Sequence, residues 1–220
     1  MSAVAGSQVD LLALWAKLGQ QDETFRYHPL LFHLLDTVAV AEQLWERALT
    51  PRLRRAIADG FGISSEAAGR WATVLVALHD LGKATPDFQF RLPKPKGELE
   101  QKAAQHVAHA GFPVPRLPPT ALLRHGEALS LVLPPLLRAR GLELKVACAL
   151  ADAVGGHHGR FPVESRFARQ RSALDGEIWS SARRHLFELL VSLLHVPEET
   201  PRQADVPSLV LLAGLTTVAD

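Results

Sequence analysis

The sequence has a single cysteine, Cys148, in 220 residues. An internal disulfide and a thiolate metal cluster are thereby excluded, and a reducing, cytoplasmic setting is expected. A charge excess of either sign is equally missing, with 24 basic residues against 23 acidic ones. Such balance gives no global field, so any polyanion has to be met by a local basic patch. Long apolar runs are absent. Stretches such as Leu209 to Leu215 fall far short of the roughly 20 residues that span a bilayer. The opening MSAVAGSQ has neither the positive start nor the apolar stretch of a secretion signal. No membrane partner is expected. There is no GxxxxGK[ST], since Gly82-Lys83 runs into Ala84, so ATP hydrolysis is not expected either. A GxSxG elbow is missing, and Cys148 has no obvious base beside it.

What is present is helical periodicity. Leu31, Leu34, Leu35, Val38, Ala41, Leu44, Trp45 and Leu49 recur at three-and-four spacing over Leu30 to Leu49, with Glu42, Gln43, Glu46 and Arg47 opposite. The stretch Ser65 to Leu81 is almost wholly apolar from Trp71 to Leu78, which predicts a central buried helix stopped by Gly82. Further helices are expected near 126–139, 142–154, 173–195 and 207–220. Pro134 and Pro135 should kink or split the first of these, and Pro207 suits the first turn of the last. Six prolines between residues 91 and 119 break that region into an irregular insertion, helical only over Leu99 to Ala110. No segment alternates convincingly as a strand. The fold class read from the pattern is all-α.

The chemistry lies in the ten histidines. His79-Asp80 closes the most apolar helix, where an ionisable pair costs free energy unless it is paired or metal-bound. His157-His158 is embedded in glycines, as GGHHG. His33 borders the apolar face of the Leu30–Leu49 helix, and His125 stands before a new helix in RHGEALS. Each piece alone is weak, because chance gives roughly half an HD pair in a chain of this composition. Imidazoles and carboxylates without thiolates favour Mn, Fe, Co, Ni or Zn over a sulfur-seeking ion. A carboxylate can touch two cations, whereas an imidazole ordinarily cannot.

The ordered set (a lone His, an HD dipeptide, a His, an HH pair and a late Asp) resembles the HD superfamily of metal-dependent phosphohydrolases. With their flanks, YHPLLFHLLDTVAVAE, VALHDLGKATPDFQ, RHGEALS, GGHHGRFP and AGLTTVAD resemble the HD nuclease domain of the CRISPR-associated nuclease-helicase of type I systems. The resemblance covers about Trp15 to Asp220. It implies an HD-domain helical bundle over 15–220 behind an N-terminal tail of 1–14. It also implies two divalent ions (Mn, Fe, Ni or Co, with Mg or Zn as further options). His33, His79, Asp80 and Asp220 would hold one, and Asp80, His125, His157 and His158 the other, with Asp80 bridging. Lys83, four residues after His79, would hold a phosphate oxygen if the helical turn persists through Gly82; its bland alternative is a solvated helix-end charge. The expected activity is endo- and exonucleolytic hydrolysis of single-stranded DNA, beside a helicase domain and a guide-RNA surveillance complex. The last helix carries no stop signal before Asp220, so the chain reads as the N-terminal part of a longer nuclease-helicase.

Downstream of the HH pair, Arg160, Arg166, Arg169 and Arg171 interleave with Phe161 and Phe167, as in a single-strand channel; a solvated loop pinned by its two phenylalanines is the alternative. The RLRR run at Arg52 to Arg55 reads as a solvated face. His28, His106, His109, His185 and His195 lie off the metal motifs, although His106 and His109 are three apart and could bind an ion. Asp36 could orient His33 or be an ordinary surface residue. Two other functions stay open: a nucleotide phosphohydrolase or cyclic-nucleotide phosphodiesterase on the same scaffold, and a degenerate docking domain.

Overall fold

A computed structural model describes residues 9–21, 24–91, 97–115, 123–161 and 176–220. Its frame is helical. The chain enters through a 3-10 turn at Leu11–Ala13, capped by the Asp10 carboxylate on the Leu12 amide, and Ala13 and Leu14 are already fully buried. Strands β1 (Trp15–Gln21) and β2 (Thr24–Pro29) form an antiparallel hairpin, with Lys17 opposite His28 and Leu18 opposite Tyr27. This hairpin corrects the expectation of no strands. Its alternation is too short to stand out, because Trp15 and Ala16 are consecutive buried residues and the register shifts between Trp15 and Lys17.

Helix α1 (Leu30–Gln43) runs into one turn of π-helix at Leu44–Ala48. Helix α2 (Pro51–Phe61) follows, capped by Thr50, begun by Pro51 and ended by Gly62 in the left-handed region at φ 65°. The RLRR run lies on this helix: Arg52 and Arg55 are exposed, while Ile57, Ala58 and Phe61 are buried. Helix α3 (Ser65–Ala77), capped by Ser64, is buried from Trp71 to Ala77 and forms the centre of the molecule.

Gly82 does not stop α3. The chain tightens at Leu78–Lys83 into a 3-10 turn whose six residues are all buried. Gly82 lies inside it, where a Cβ would come 1.9 Å from the His125 carbonyl oxygen. Its value there is closeness of approach, and the short helix α4 (Pro86–Gln89) follows. Within the Pro-rich region α5 covers Glu98–His109; residues 92–96 and 116–122 lie outside the described ones. Helix α6 (His125–Ala139) runs unbroken through Pro134 and Pro135, so they do not split it. Most of its inner residues are buried between α7 (Leu144–Gly155) and the 3-10 turn, and this packing outweighs the two missing amide donors. Helices α8 (Glu177–Leu193) and α9 (Val206–Ala219) complete the bundle, α9 being capped by Asp205. Among the described residues, no helix is long and apolar enough to cross a membrane.

One core includes Trp15, Trp71, Trp179, Phe61, Phe112 and Phe187. Three glycines let its backbones touch where the site forms. Beside Gly82, a Cβ on Gly126 would lie 2.3 Å from the Gly155 carbonyl oxygen, and one on Gly155 would lie 2.7 Å from that of Gly126. The start of α6, the end of α7 and the 3-10 turn therefore meet at contact distance.

Candidate metal centre

Five elements deliver the seven expected metal ligands to one place. His33 comes from α1, and His79 and Asp80 from the 3-10 turn after α3. His125 is the first residue of α6, His157 and His158 follow α7, and Asp220 follows α9. They fall into two groups, His33, His79, Asp80 and Asp220, and His125, His157 and His158. Within each group the donor atoms lie within 4.8 Å of one another.

Asp80 stands between the groups, almost completely buried. Its Oδ2 lies 2.8 Å from His33 Nε2 and 3.4 Å from His79 Nε2. Its Oδ1 faces the other way, 3.3 Å from His125 Nε2 and 4.0 Å from His157 Nε2. Asp220 Oδ1 closes the first group at 3.4 Å from both His33 Nε2 and His79 Nε2.

Backbone carbonyls fix two of the imidazoles. His79 Nδ1 lies 3.0 Å from the Val76 carbonyl and His157 Nδ1 lies 2.8 Å from the Val154 carbonyl. A carbonyl only accepts, so each Nδ1 carries a proton, and each Nε2 is turned inward as the atom that would meet a cation. The geometry around those atoms tests whether the centre fits cations. His157 Nε2 is 3.2 Å from His125 Nε2, which is 3.1 Å from His158 Nε2. Among the described residues, His79 Nε2 and Asp80 Oδ1 are buried without a hydrogen-bond partner, while Asp80 Oδ2 is met by the Lys83 ammonium. Converging lone pairs and carboxylate oxygens repel unless protons or cations lie among them. The donor set is all nitrogen and oxygen, which suits divalent transition ions.

Charge divides the groups further. Burial opposes protonation of His79, but the carboxylates of Asp220 and Asp80 outweigh it and raise the imidazole to about 9. The same balance raises His33. Burial also opposes ionisation of Asp80, yet contact with His33, His79 and Lys83 holds it well below the usual carboxylate range. Asp220 is likewise depressed, first by its contacts with His33 and His79. His125 and His157 are lowered to about 4 by burial, assisted by neighbouring cationic groups. One group thus pairs two carboxylates with imidazoles that hold protons tightly, and the other consists of imidazoles of which two stay neutral at pH 7.

Lys83 is no solvated helix-end charge. In a 3-10 turn residues three apart eclipse, and the ammonium of this buried lysine sits 2.5 Å from Asp80 Oδ2 and 5.5 Å from the Phe88 ring centroid. Asp36 does not orient His33: it stays at the surface and accepts from His28 Nε2 at 3.0 Å, while His33 reaches inward. His106 meets the Tyr27 hydroxyl at 2.9 Å. Neither His106 nor His109 belongs to a candidate metal group among the described residues. Arg160 is exposed two residues beyond His158, and Arg166, Arg169 and Arg171 lie outside the described residues. Three contributors went unread in the sequence: the Val76 and Val154 carbonyls, and Thr217, whose hydroxyl donates to the His157 carbonyl at 3.0 Å. Both carbonyls lie three residues before their histidine at a helix end, and that spacing was the available signal.

A helical scaffold that ends its central helix in a buried His-Asp pair and gathers further imidazoles and a carboxylate around it defines an HD-type domain. The family model described as "Cas3, HD domain" matches residues 15–220, and the chain belongs to that family. It is 41% identical over 189 residues to the CRISPR-associated endonuclease/helicase Cas3 of Thermus thermophilus, covering 84% of this chain and 19% of that protein. A Streptococcus thermophilus CRISPR-associated nuclease/helicase Cas3 is 30% identical, with 68% of this chain and 16% of that protein covered. The chain thus spans less than a fifth of these curated relatives. Among solved structures, the Thermus thermophilus Cas3 HD domain in the presence of Ni2+ superposes with a TM-score of 0.65 at 35% identity, covering 94% of this chain and 74% of that one. A CRISPR RNA-guided surveillance complex in a pre-nicking state contains a chain with a TM-score of 0.75 at 27% identity, covering 96% of this chain and 24% of that one.

Proposed function

We propose that the chain is a metal-dependent nuclease domain that hydrolyses phosphodiester bonds of single-stranded DNA in CRISPR type I interference, both within strands and from ends. The observation that carries this reading is the division of Asp80, with one oxygen turned to His33 and His79 and the other to His125 and His157. Two divalent transition ions fit that division. His33, His79, Asp80 and Asp220 would hold one and Asp80, His125, His157 and His158 the other. When bound, such a pair supplies Lewis acidity and an activated water to phosphodiester hydrolysis.

The protein's own groups do the remaining work. The Val76 and Val154 carbonyls hold the His79 and His157 tautomers. Lys83 lies against Asp80, and on a bound substrate its ammonium would grip a phosphate oxygen. Arg160, followed by Arg166, Arg169 and Arg171, would track the strand backbone away from the centre. A helicase domain, in the same or a partner chain, and a guide-RNA surveillance complex are the proposed partners, in keeping with the relatives' names. The test is linearisation of circular single-stranded DNA by metal-stripped protein resupplied with Mn, Ni, Co, Fe, Mg or Zn, beside Asp80→Ala. Metal-dependent cutting lost in the variant is expected. Turnover of small phosphoesters with intact circles would sink the DNA assignment and leave a nucleotide phosphohydrolase.

A further inference from the structure

The β-hairpin places a cation at the mouth of the centre. Strand β1 begins with two consecutive buried residues, Trp15 and Ala16, and the register shift before Lys17 re-aims the strand. Irregularities of this kind turn a side chain at the cost of one ladder position. Lys17 emerges opposite His28, its side chain 57% exposed and its Nζ 3.9 Å from Asp220 Oδ1.

Asp220 has no need of this partner. The same Oδ1 already has His33 Nε2 and His79 Nε2 at 3.4 Å each, and an ion pair this long and exposed adds little stability. Lys17 is the outermost cation around that carboxylate, with most of its side chain in solvent. Opposite it, His28 is already engaged by Asp36. An ammonium in that position, with more than half of its side chain in solvent, is accessible to a ligand beside the centre.

We propose that Lys17 is a substrate-binding residue whose ammonium grips a backbone phosphate of the nucleic acid strand on the hairpin side of the metal centre. The inference rests on the phosphodiesterase reading of the centre. Lys17 borders the group containing Asp220, and Arg160 follows the group containing His158. The strand is then held on both sides of the bond to be cut.

Two readouts separate the inference from the reading beneath it. Turnover of bis(p-nitrophenyl) phosphate by Mn-loaded protein tests the phosphodiesterase reading. Fluorescence anisotropy of a short labelled single-stranded oligonucleotide, over a salt series, tests Lys17. Lys17→Ala should bind the strand roughly 3- to 10-fold more weakly at low salt, with the slope of log K against log[salt] smaller by about 0.7, the value of one released counterion. Lys17→Arg should restore both. Arg52→Ala, on the outer face of α2, should change neither, and every protein should retain its metal content. An unchanged affinity and slope in Lys17→Ala overturns the proposal, as does an affinity loss that merely follows metal loss. Failure of wild type to bind the strand also overturns it, whatever the small-substrate result, which alone decides the phosphodiesterase reading.

Discussion

Gly82→Ala should break the centre without touching a ligand. The new Cβ would lie 1.9 Å from the His125 carbonyl oxygen and 2.8 Å from the Leu129 amide nitrogen. Both are backbone atoms of α6, so no flexible side chain can swing aside. Restoring ordinary contact requires the 3-10 turn and the start of α6 to part by more than an ångström. Overpacking of this kind typically costs about 1–3 kcal/mol. In a domain of this size each kcal/mol lowers Tm by roughly 2–4 °C, so a fall of about 2–12 °C is expected. The same separation moves Asp80 away from His125, now 3.3 Å apart, by far more than the roughly 0.2 Å that metal–ligand distances tolerate. Differential scanning calorimetry and metal analysis on one preparation read both effects. Gly214→Ala is the matched control: nothing lies within 4 Å of its added Cβ inside α9, so it should be neutral or stabilise by up to about 1 kcal/mol. A Gly82→Ala protein with wild-type Tm and full metal content would refute the close-approach argument.

Two further outcomes follow from the same geometry. Elemental analysis after dialysis should find about one ion fewer per chain in His125→Ala, whereas Asp80→Ala, which removes the carboxylate shared by both groups, should lose nearly all of it; equal losses in the two variants would contradict the bridging assignment. In the metal-free protein His79 is raised from 6.5 to about 9. Its stabilising contribution is therefore complete below pH 6.5 and lost as pH rises through 9, a trend that thermal melts between pH 6 and 10 should show and His79→Asn should lack. Because His79 is protonated at pH 7.5 while His125 and His157, lowered to about 4, are not, metal binding to His79 should release a proton and binding to His125 and His157 should not. Calorimetric titration in buffers of different ionisation enthalpy distinguishes the two.

Much of this was legible in the chain. The apolar density of Trp71 to Leu78 marks the central helix, and the order of His33, His79-Asp80, His125, His157-His158 and Asp220 points to side chains that the fold brings together. Helix α2 carried Thr50, Pro51 and Gly62 as start and stop signals, but its arginines drew attention from its buried face. The hairpin was hidden for a physical reason: local alternation fails where Trp15 and Ala16 are both buried. Lys17 beside Asp220 could not be seen at all, since tertiary packing alone brings strand β1 to the end of α9. Gly82 was misread because a helix stop and a close approach both call for glycine, and only the neighbouring backbone tells them apart.

The pairing of His79 with the Val76 carbonyl and of His157 with the Val154 carbonyl bears on how this centre withstands mutation. Many metal-binding histidines are held by a carboxylate side chain, which one codon change can remove. A main-chain carbonyl has no codon. Positions 76 and 154 can drift among residues that keep the helix and fill the core while both imidazoles keep their tautomers. The two rings are thus insulated from most substitutions around them. Genetic drift should therefore reach the ligands themselves, or the glycines that let the backbones touch, before it reaches the groups that aim these two rings.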